Sequence, residues 1–172
     1  MGGFPMSYFV VGLPRSRTAW LSVFLSQSGR FCHHEGLNGC RSLDEYSNKL
    51  NNGGDSSTGL MMIKLNKLFP DSPVVIIEKN HEQVKRCIKW CDDTYGGDSR
   101  DYIYQLNEQM KEIKGLRINQ SDINDRLHEI WRYLIDMPWK ETYTILKDFN
   151  IQSDPFNIDA KAAKELFNGL IQ

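Results

Sequence analysis

Four consecutive β-branched residues, Val74-Val75-Ile76-Ile77, stand between Pro73 and Glu78. They restrict the fold more than any other segment. Side chains branched at Cβ are stiff and pack well on a pleated surface. An extended run with no polar alternation is apolar on both faces, so it must be covered on both. That describes a central strand of a parallel sheet. Parallel strands need long crossovers, usually helices, so the chain is expected to alternate strand and helix. Its start agrees. Tyr8-Phe9-Val10-Val11 is a short β-rich run that stops at Gly12, and Ala19 to Leu25 has apolar residues at helical spacing and ends near Gly29.

The remaining pattern fills in the alternation. Arg30-Phe31-Cys32 reads as a second short strand running into His33-His34-Glu35-Gly36. Ser42 can cap a helix through Leu43, Tyr46 and Leu50, with Glu45 completing a capping box. Asn51 to Ser57 reads as a polar, turn-rich loop. Leu60 to Phe69 reads as a helix stopped by Pro70, and His81 to Asp93 as another with Val84, Cys87, Ile88 and Cys91 on one face. Two more helices are expected over 99–114 and 121–135. Pro138 can open one through Phe149, and Asp159 can cap a last one carrying Ala162, Ala163, Leu166, Phe167 and Leu170. The expectation is a single α/β domain over 1–172, a three-layer P-loop-type arrangement. It has a short, mainly parallel sheet and a helical C-terminal half.

Charge and length narrow the function classes. A chain of 172 residues can bury a core without disulfides or a structural metal. Its 21 basic and 22 acidic residues leave a net charge of −1, without the basic excess of a general nucleic-acid binder. No apolar run approaches the roughly 20 residues of a membrane span. Met1 to Ser7 has neither the basic region of a secretory signal nor the Ser or Thr that a myristoylation motif wants at Met6. A cytoplasmic protein with reduced thiols is expected. Cys32 and Cys40 are separated by seven residues, too many for the usual zinc pair, so buried thiols and no metal are expected.

The densest chemistry lies in Gly12-Leu13-Pro14-Arg15-Ser16-Arg17-Thr18. A loop between a strand and a helix aims backbone N–H groups at one spot, and the helix N-terminus adds partial positive charge. Arg15 and Arg17 add full charges, and Ser16 and Thr18 add hydroxyls. The set suits a phosphate or sulfate group. It is not a Walker A loop, because Arg17 and Thr18 occupy the places of the required Gly and Lys.

Pro14-Arg15-Ser16-Arg17-Thr18-Ala19-Trp20 resembles the phosphosulfate-binding loop of sulfotransferases, Pro-Lys/Arg-Ser-Gly-Thr/Ser-Thr-Trp/Leu. These P-loop-fold enzymes use 3′-phosphoadenosine 5′-phosphosulfate. The pattern departs at Arg17, where the family prefers Gly, and at Ala19. A second segment, Val75 to Val84, resembles the family's strand followed by Arg-Asn-Pro-x-Asp-Val. The resemblance places Lys79 and Cys87 where the family's Arg and Ser hold the 3′-phosphate. Lys79 keeps the charge without the guanidinium fork, and Cys87 is a poorer donor than Ser. The family's C-terminal Arg-Lys-Gly element has only a faint echo in Lys114-Gly115-Leu116-Arg117. The likeness spans roughly residues 8–90.

Transfer to an alcohol needs a base near the acceptor hydroxyl. Glu35 stands where a bacterial carbohydrate branch of the same family carries its Glu, and His34 is its neighbour. The resemblance therefore implies Glu35 or His34 as base and Arg15 as the charge-stabilising group. The donor would be bound by Gly12, Pro14, Arg15, Ser16, Arg17, Thr18, Ala19, Lys79 and Cys87. His33, Asp55 and Ser56 are candidates for acceptor contacts. Trp90, Trp131 and Trp139 read as packing residues. Two rivals stand beside this reading. One is a P-loop kinase of a nucleotide or metabolite, with Glu78 as the only evident magnesium-holding acid. The other is a non-catalytic nucleotide or anion binder. The sequence names neither the acceptor nor an oligomeric state.

Overall fold

The structure is a computed structural model that describes residues 6–139. The expected helices after Pro138 and Asp159, and the first five residues, lie outside the described residues. In chain order the elements begin with β1 (Tyr8–Gly12), α1 (Thr18–Ser26), β2 (Cys32–His34), α2 (Leu43–Leu50) and β3 (Gly54–Ser57). A 3₁₀ turn (Gly59–Met62) and a single helical turn, α3 (Leu65–Leu68), lead to β4 (Val74–Glu78) and α4 (His81–Tyr95). The rest are α5 (Arg100–Lys111), β5 (Leu116–Asn119), a second 3₁₀ segment (Gln120–Asp125) and α6 (Leu127–Leu134).

All five strands are parallel, in the order β2-β3-β1-β4-β5. The expected α/β class is therefore observed, with a sheet that is wholly rather than mainly parallel. β1 is central, with Val10 opposite Ser56 on one side and Val75 on the other. The β-branched run is one strand away from the centre. It lies between β1 and β5, which pair both its edges, while helices on either side cover its two faces.

Alternation along β1 and β4 divides the core in two. Tyr8, Val10, Val75 and Ile77 face α1 and α6, where Trp20, Phe24, Ile130 and Trp131 pack. Phe9, Val11, Val74 and Ile76 face α2, α4 and α5, where Tyr46, Val84, Cys87, Ile103 and Leu106 pack. Successive side chains of a strand point to opposite faces, so helices are required on both. The result is three layers. Each of these large apolar side chains contributes roughly 1.5–3 kcal/mol through burial. Cys32, Cys87 and Cys91 are buried free thiols inside these clusters. Trp131 and Trp139 pack edge-on in the first cluster.

Several expectations give way to tertiary structure. Gly54-Asp55-Ser56-Ser57, read as part of a turn, is the fully buried strand β3. Gly54 lies under the Tyr8 ring, whose Cε2 would stand 2.2 Å from an added Cβ. The polar residues of β3 are tolerated because each finds a partner within the protein. The second strand starts two residues later than expected, so both histidines belong to β2. The single helix expected over Leu60–Phe69 is broken into a 3₁₀ turn and one α-turn. The one expected over 121–135 begins as 3₁₀ before α6. β5 replaces the supposed echo of a C-terminal element: Arg117 pairs with Glu78 at 2.9 Å and caps the end of α5 through the Met110 and Lys111 carbonyls at 3.2 and 3.1 Å. The capping box at Ser42 is half formed. Ser42 accepts from the Glu45 amide, while Glu45 Oε2 accepts from the Arg41 amide instead of that of Ser42.

Candidate functional site

The Gly12–Thr18 loop leaves the C-terminal end of the central strand, where the chain turns from β1 to the far side of the sheet. Open parallel sheets place ligands at such a crevice. Gly12 is required by close approach: an added Cβ would lie 2.8 Å from Ser16 Cβ and 3.3 Å from Ile77 Cβ. Arg15 and Arg17 both adopt left-handed backbone, at φ 63° and 60°. For a residue with a side chain this costs roughly 1–2 kcal/mol. Arg17 thus takes the conformation that glycine adopts freely, at the position where the resembling family prefers Gly.

Four donors hold the loop in this shape. Thr58 Oγ1 donates to the Gly12 carbonyl at 2.8 Å and Cys87 Sγ to that of Pro14 at 3.2 Å. Lys79 Nζ donates to Arg15 at 2.9 Å and Ser56 Oγ to Thr18 at 2.7 Å. In a trans peptide the N–H points opposite to the C=O. Fixing the Pro14 and Arg15 carbonyls against the scaffold therefore turns the amides of Arg15 and Ser16 away from it. Successive amides in left-handed turns of this kind form anion-binding concavities.

The start of α1 adds to this. No side chain caps it and no acid lies in its first turn. In contrast, α4 is closed by a complete capping box between Asn80 and Gln83. Ser16 is fully buried, and its hydroxyl has no hydrogen-bond partner among the described residues. An unsatisfied buried hydroxyl costs about 1–3 kcal/mol. The two guanidinium groups frame the loop. Arg15 lies 5.1 Å from the centre of the Trp90 ring. Arg17 lies 4.1 Å from that of Trp20 and donates to Asn124 Oδ1 at 2.7 Å. Burial lowers the Arg17 pKa, yet an arginine remains charged at any physiological pH.

His34 closes β2, and Glu35 follows in left-handed backbone at φ 54°. His34 Nδ1 lies 2.8 Å from the Ser56 carbonyl. A carbonyl can only accept, so Nδ1 carries the hydrogen and Nε2 is left with a lone pair in the neutral ring. Glu35 Oε1 accepts the Thr58 amide at 3.0 Å. His33 is turned the other way, donating from Nε2 to the Lys49 carbonyl at 3.0 Å, and burial lowers its pKa.

Asp55 and Ser56 are fully buried. The Asp55 carboxylate accepts from Tyr46 Oη at 2.7 Å, Ser57 Oγ at 2.5 Å and the Gly36 amide at 3.2 Å. Both residues are engaged inside the protein, behind the Glu35 turn. Burial, followed by the nearby Asp55 charge, pushes the Tyr46 phenol far up. Lys79 and Cys87 lie beside one another under the loop. Burial lowers Lys79 to about 8 and pushes Cys87 up to about 12. Lys79 also bonds Gln120 Oε1.

The structure thus brings together Gly12, Pro14, Arg15, Ser16, Arg17, Thr18, Lys79 and Cys87 around one loop, with Ala19 in the first turn of α1. His34 and Glu35 lie at the end of β2, separated from the loop's strand by β3. Thr58, Gln120 and Asn124 also belong to this neighbourhood. Sequence reasoning had no signal for them beyond the polar composition of their segments. Among the described residues, no three His, Cys, Asp or Glu side chains converge as a metal-binding group, and no helix is long and apolar enough to cross a membrane.

These features define an open, five-stranded parallel α/β protein with an arginine-bearing loop at the end of its central strand. A scan against protein-family models finds no match, and a search of curated proteins finds none either.

Proposed function

We propose that the protein is a sulfotransferase-like enzyme. It would move a sulfuryl group from 3′-phosphoadenosine 5′-phosphosulfate to a hydroxyl of a small molecule or carbohydrate. The observation that carries this reading is the joining of two sites. An uncapped helix start with two arginine-bearing left-handed residues adjoins a turn holding Glu35 and His34. The same two residues, Ser56 and Thr58, bond both sites.

In this reading the loop amides, Arg15 and Thr18 bind the 5′-phosphosulfate and stabilise charge as it develops on the bridging oxygen. Glu35, or His34 through Nε2, takes the proton of the acceptor hydroxyl. The acceptor oxygen bonds to sulfur while the bond from sulfur to the bridging phosphate oxygen breaks, so adenosine 3′,5′-bisphosphate leaves. Lys79 Nζ, which already donates to the Arg15 carbonyl and to Gln120 Oε1, has one donor left for the 3′-phosphate. No metal is required for these steps. Calorimetry with adenosine 3′,5′-bisphosphate tests the reading. Binding that weakens in Arg15→Ala supports it, and no heat at millimolar ligand overturns the donor assignment.

One observation favours the non-catalytic binder as a second reading. Cys87 is spent on the loop's own backbone, and two of the three Lys79 donors are engaged, one on the loop and one on Gln120. Nucleotide binding that survives loss of both His34 and Glu35, with no turnover across an acceptor screen, selects it. The kinase reading is weaker, because Glu78, its candidate magnesium-holding acid, is paired with Arg117. Magnesium-dependent ATP binding would restore it. A cytoplasmic location and the absence of nucleic-acid and membrane partners remain parts of the proposal.

A further inference from the structure

Thr58 makes two bonds that point in different directions. Its amide donates to Glu35 Oε1 at 3.0 Å, and its hydroxyl donates to the Gly12 carbonyl at 2.8 Å. One residue therefore joins the candidate base to the first peptide of the anion loop. Ser56, two residues earlier, repeats the arrangement: its carbonyl takes His34 Nδ1 and its hydroxyl holds the Thr18 carbonyl. The pair spans both ends of the loop. The Glu35 turn is fixed from behind as well, since the Gly36 amide donates to the buried Asp55 carboxylate. An added Cβ on Gly36 would lie 2.6 Å from Asp55 Oδ2. A carboxylate on an exposed turn samples many positions, whereas this one is tied to the loop it would serve.

We infer that Thr58 is a positioning residue that couples occupancy of the Gly12–Thr18 loop to the placement of the Glu35 carboxylate. The inference rests on the proposed anion site and extends it. An anion that draws the loop amides inward moves the Gly12 peptide, and the Thr58 hydroxyl carries that movement to the carboxylate two bonds away. The ligand chemistry is a tetrahedral oxyanion. Holding a base within a fraction of an ångström of its productive place is where much catalytic power resides.

A double-mutant cycle on the full chain, titrated with inorganic sulfate, tests this. Sulfate affinity is measured in the parent, Glu35→Ala, Thr58→Val and the double variant. Thr58→Ser, which retains the hydroxyl, replaces Thr58→Val in a second cycle. The expected result is that the Glu35→Ala effect on affinity differs at least threefold between the parent and Thr58→Val backgrounds, and returns to the parent value with Thr58→Ser. A direct charge effect of Glu35 on the anion would persist in every background, so equal effects overturn the coupling while leaving the anion site intact. Failure of sulfate to bind the parent overturns the anion site and the coupling together. If Thr58→Val does not fold, Thr58→Ala takes its place in the cycle.

Discussion

The side-chain nitrogen of Lys79, at the end of β4, donates to the backbone carbonyl of Arg15 in the Gly12–Thr18 loop across 2.9 Å. The bond crosses from one strand end to the next and sets the direction of the Ser16 amide. It also places a lysine in surroundings that disfavour its charge, chiefly through burial and then through Arg15 and Arg86.

The pH dependence follows from that burial. Lys79 is lowered to about 8 in the native state, while an unfolded lysine titrates near 10.4. Between these values the unfolded chain holds a proton that the native protein lacks, so stability rises with pH through this window. Urea denaturation of the parent and Lys79→Met from about pH 7 to pH 10 checks it. The parent should gain on the variant above about pH 8, and a constant difference would contradict the shift.

Gly12→Ala should destabilise the protein by about 1–3 kcal/mol, the usual cost of forcing an extra methyl into packed surroundings. The added Cβ would meet Ser16 Cβ at 2.8 Å. Thermal melts report the stability, and sulfate titration should show weakened binding, because relief of the clash moves the loop.

Arg17→Gly separates backbone from side chain. Glycine relieves the left-handed strain, worth roughly 1 kcal/mol, while the Trp20 stack and the Asn124 bond are lost. Stability should stay within about 1 kcal/mol of the parent, since the cation–π contact of a half-buried arginine is worth a comparable amount. Arg17→Ala loses the same contacts without relieving the strain. It should therefore be the less stable of the two in denaturant titrations.

Tyr46→Phe should cost about 1–3 kcal/mol, because the buried Asp55 carboxylate loses one of its three donors. Equilibrium unfolding in urea measures it. A loss under about 0.5 kcal/mol would mean that Asp55 gains little from the phenol.

Under the proposed function, Glu35→Gln should lower sulfuryl transfer by about 10²–10⁴-fold, the usual worth of a general base. Gln retains an acceptor for the Thr58 amide, so affinity for adenosine 3′,5′-bisphosphate should stay within a few-fold. Single-turnover rates and calorimetry on the same preparation distinguish the two effects.

How much was legible depended on where the partners of each residue lie. The Val74–Ile77 run and the helix at His81 could be read because period and burial are local properties of a segment. β3 could not. Gly-Asp-Ser-Ser has turn composition, and only the Tyr8 ring over Gly54 and the partners of Asp55 and Ser56 make it a buried strand. β5 is four residues long and takes its place from pairing with β4 rather than from its own propensity. The Gly12–Thr18 loop was readable as a cluster of residue types. Its left-handed arginines were not, because their strain is balanced by donors 46 to 73 residues away in the chain, Thr58, Lys79 and Cys87.

The sequence by itself determined the alternation through β1, α1, β2 and α2 and the β4–α4 pair, the place of the loop between β1 and α1, and the residue types available there. Those follow from hydrophobic period and residue type, which a short window contains. Tertiary structure alone decided that Lys79 and Cys87 brace the loop backbone, that Asp55 and Ser56 are buried, and that Thr58 joins Glu35 to Gly12. Hydrogen-bond partners across a parallel sheet are far apart in sequence, and only strand order and register bring them within reach of one another.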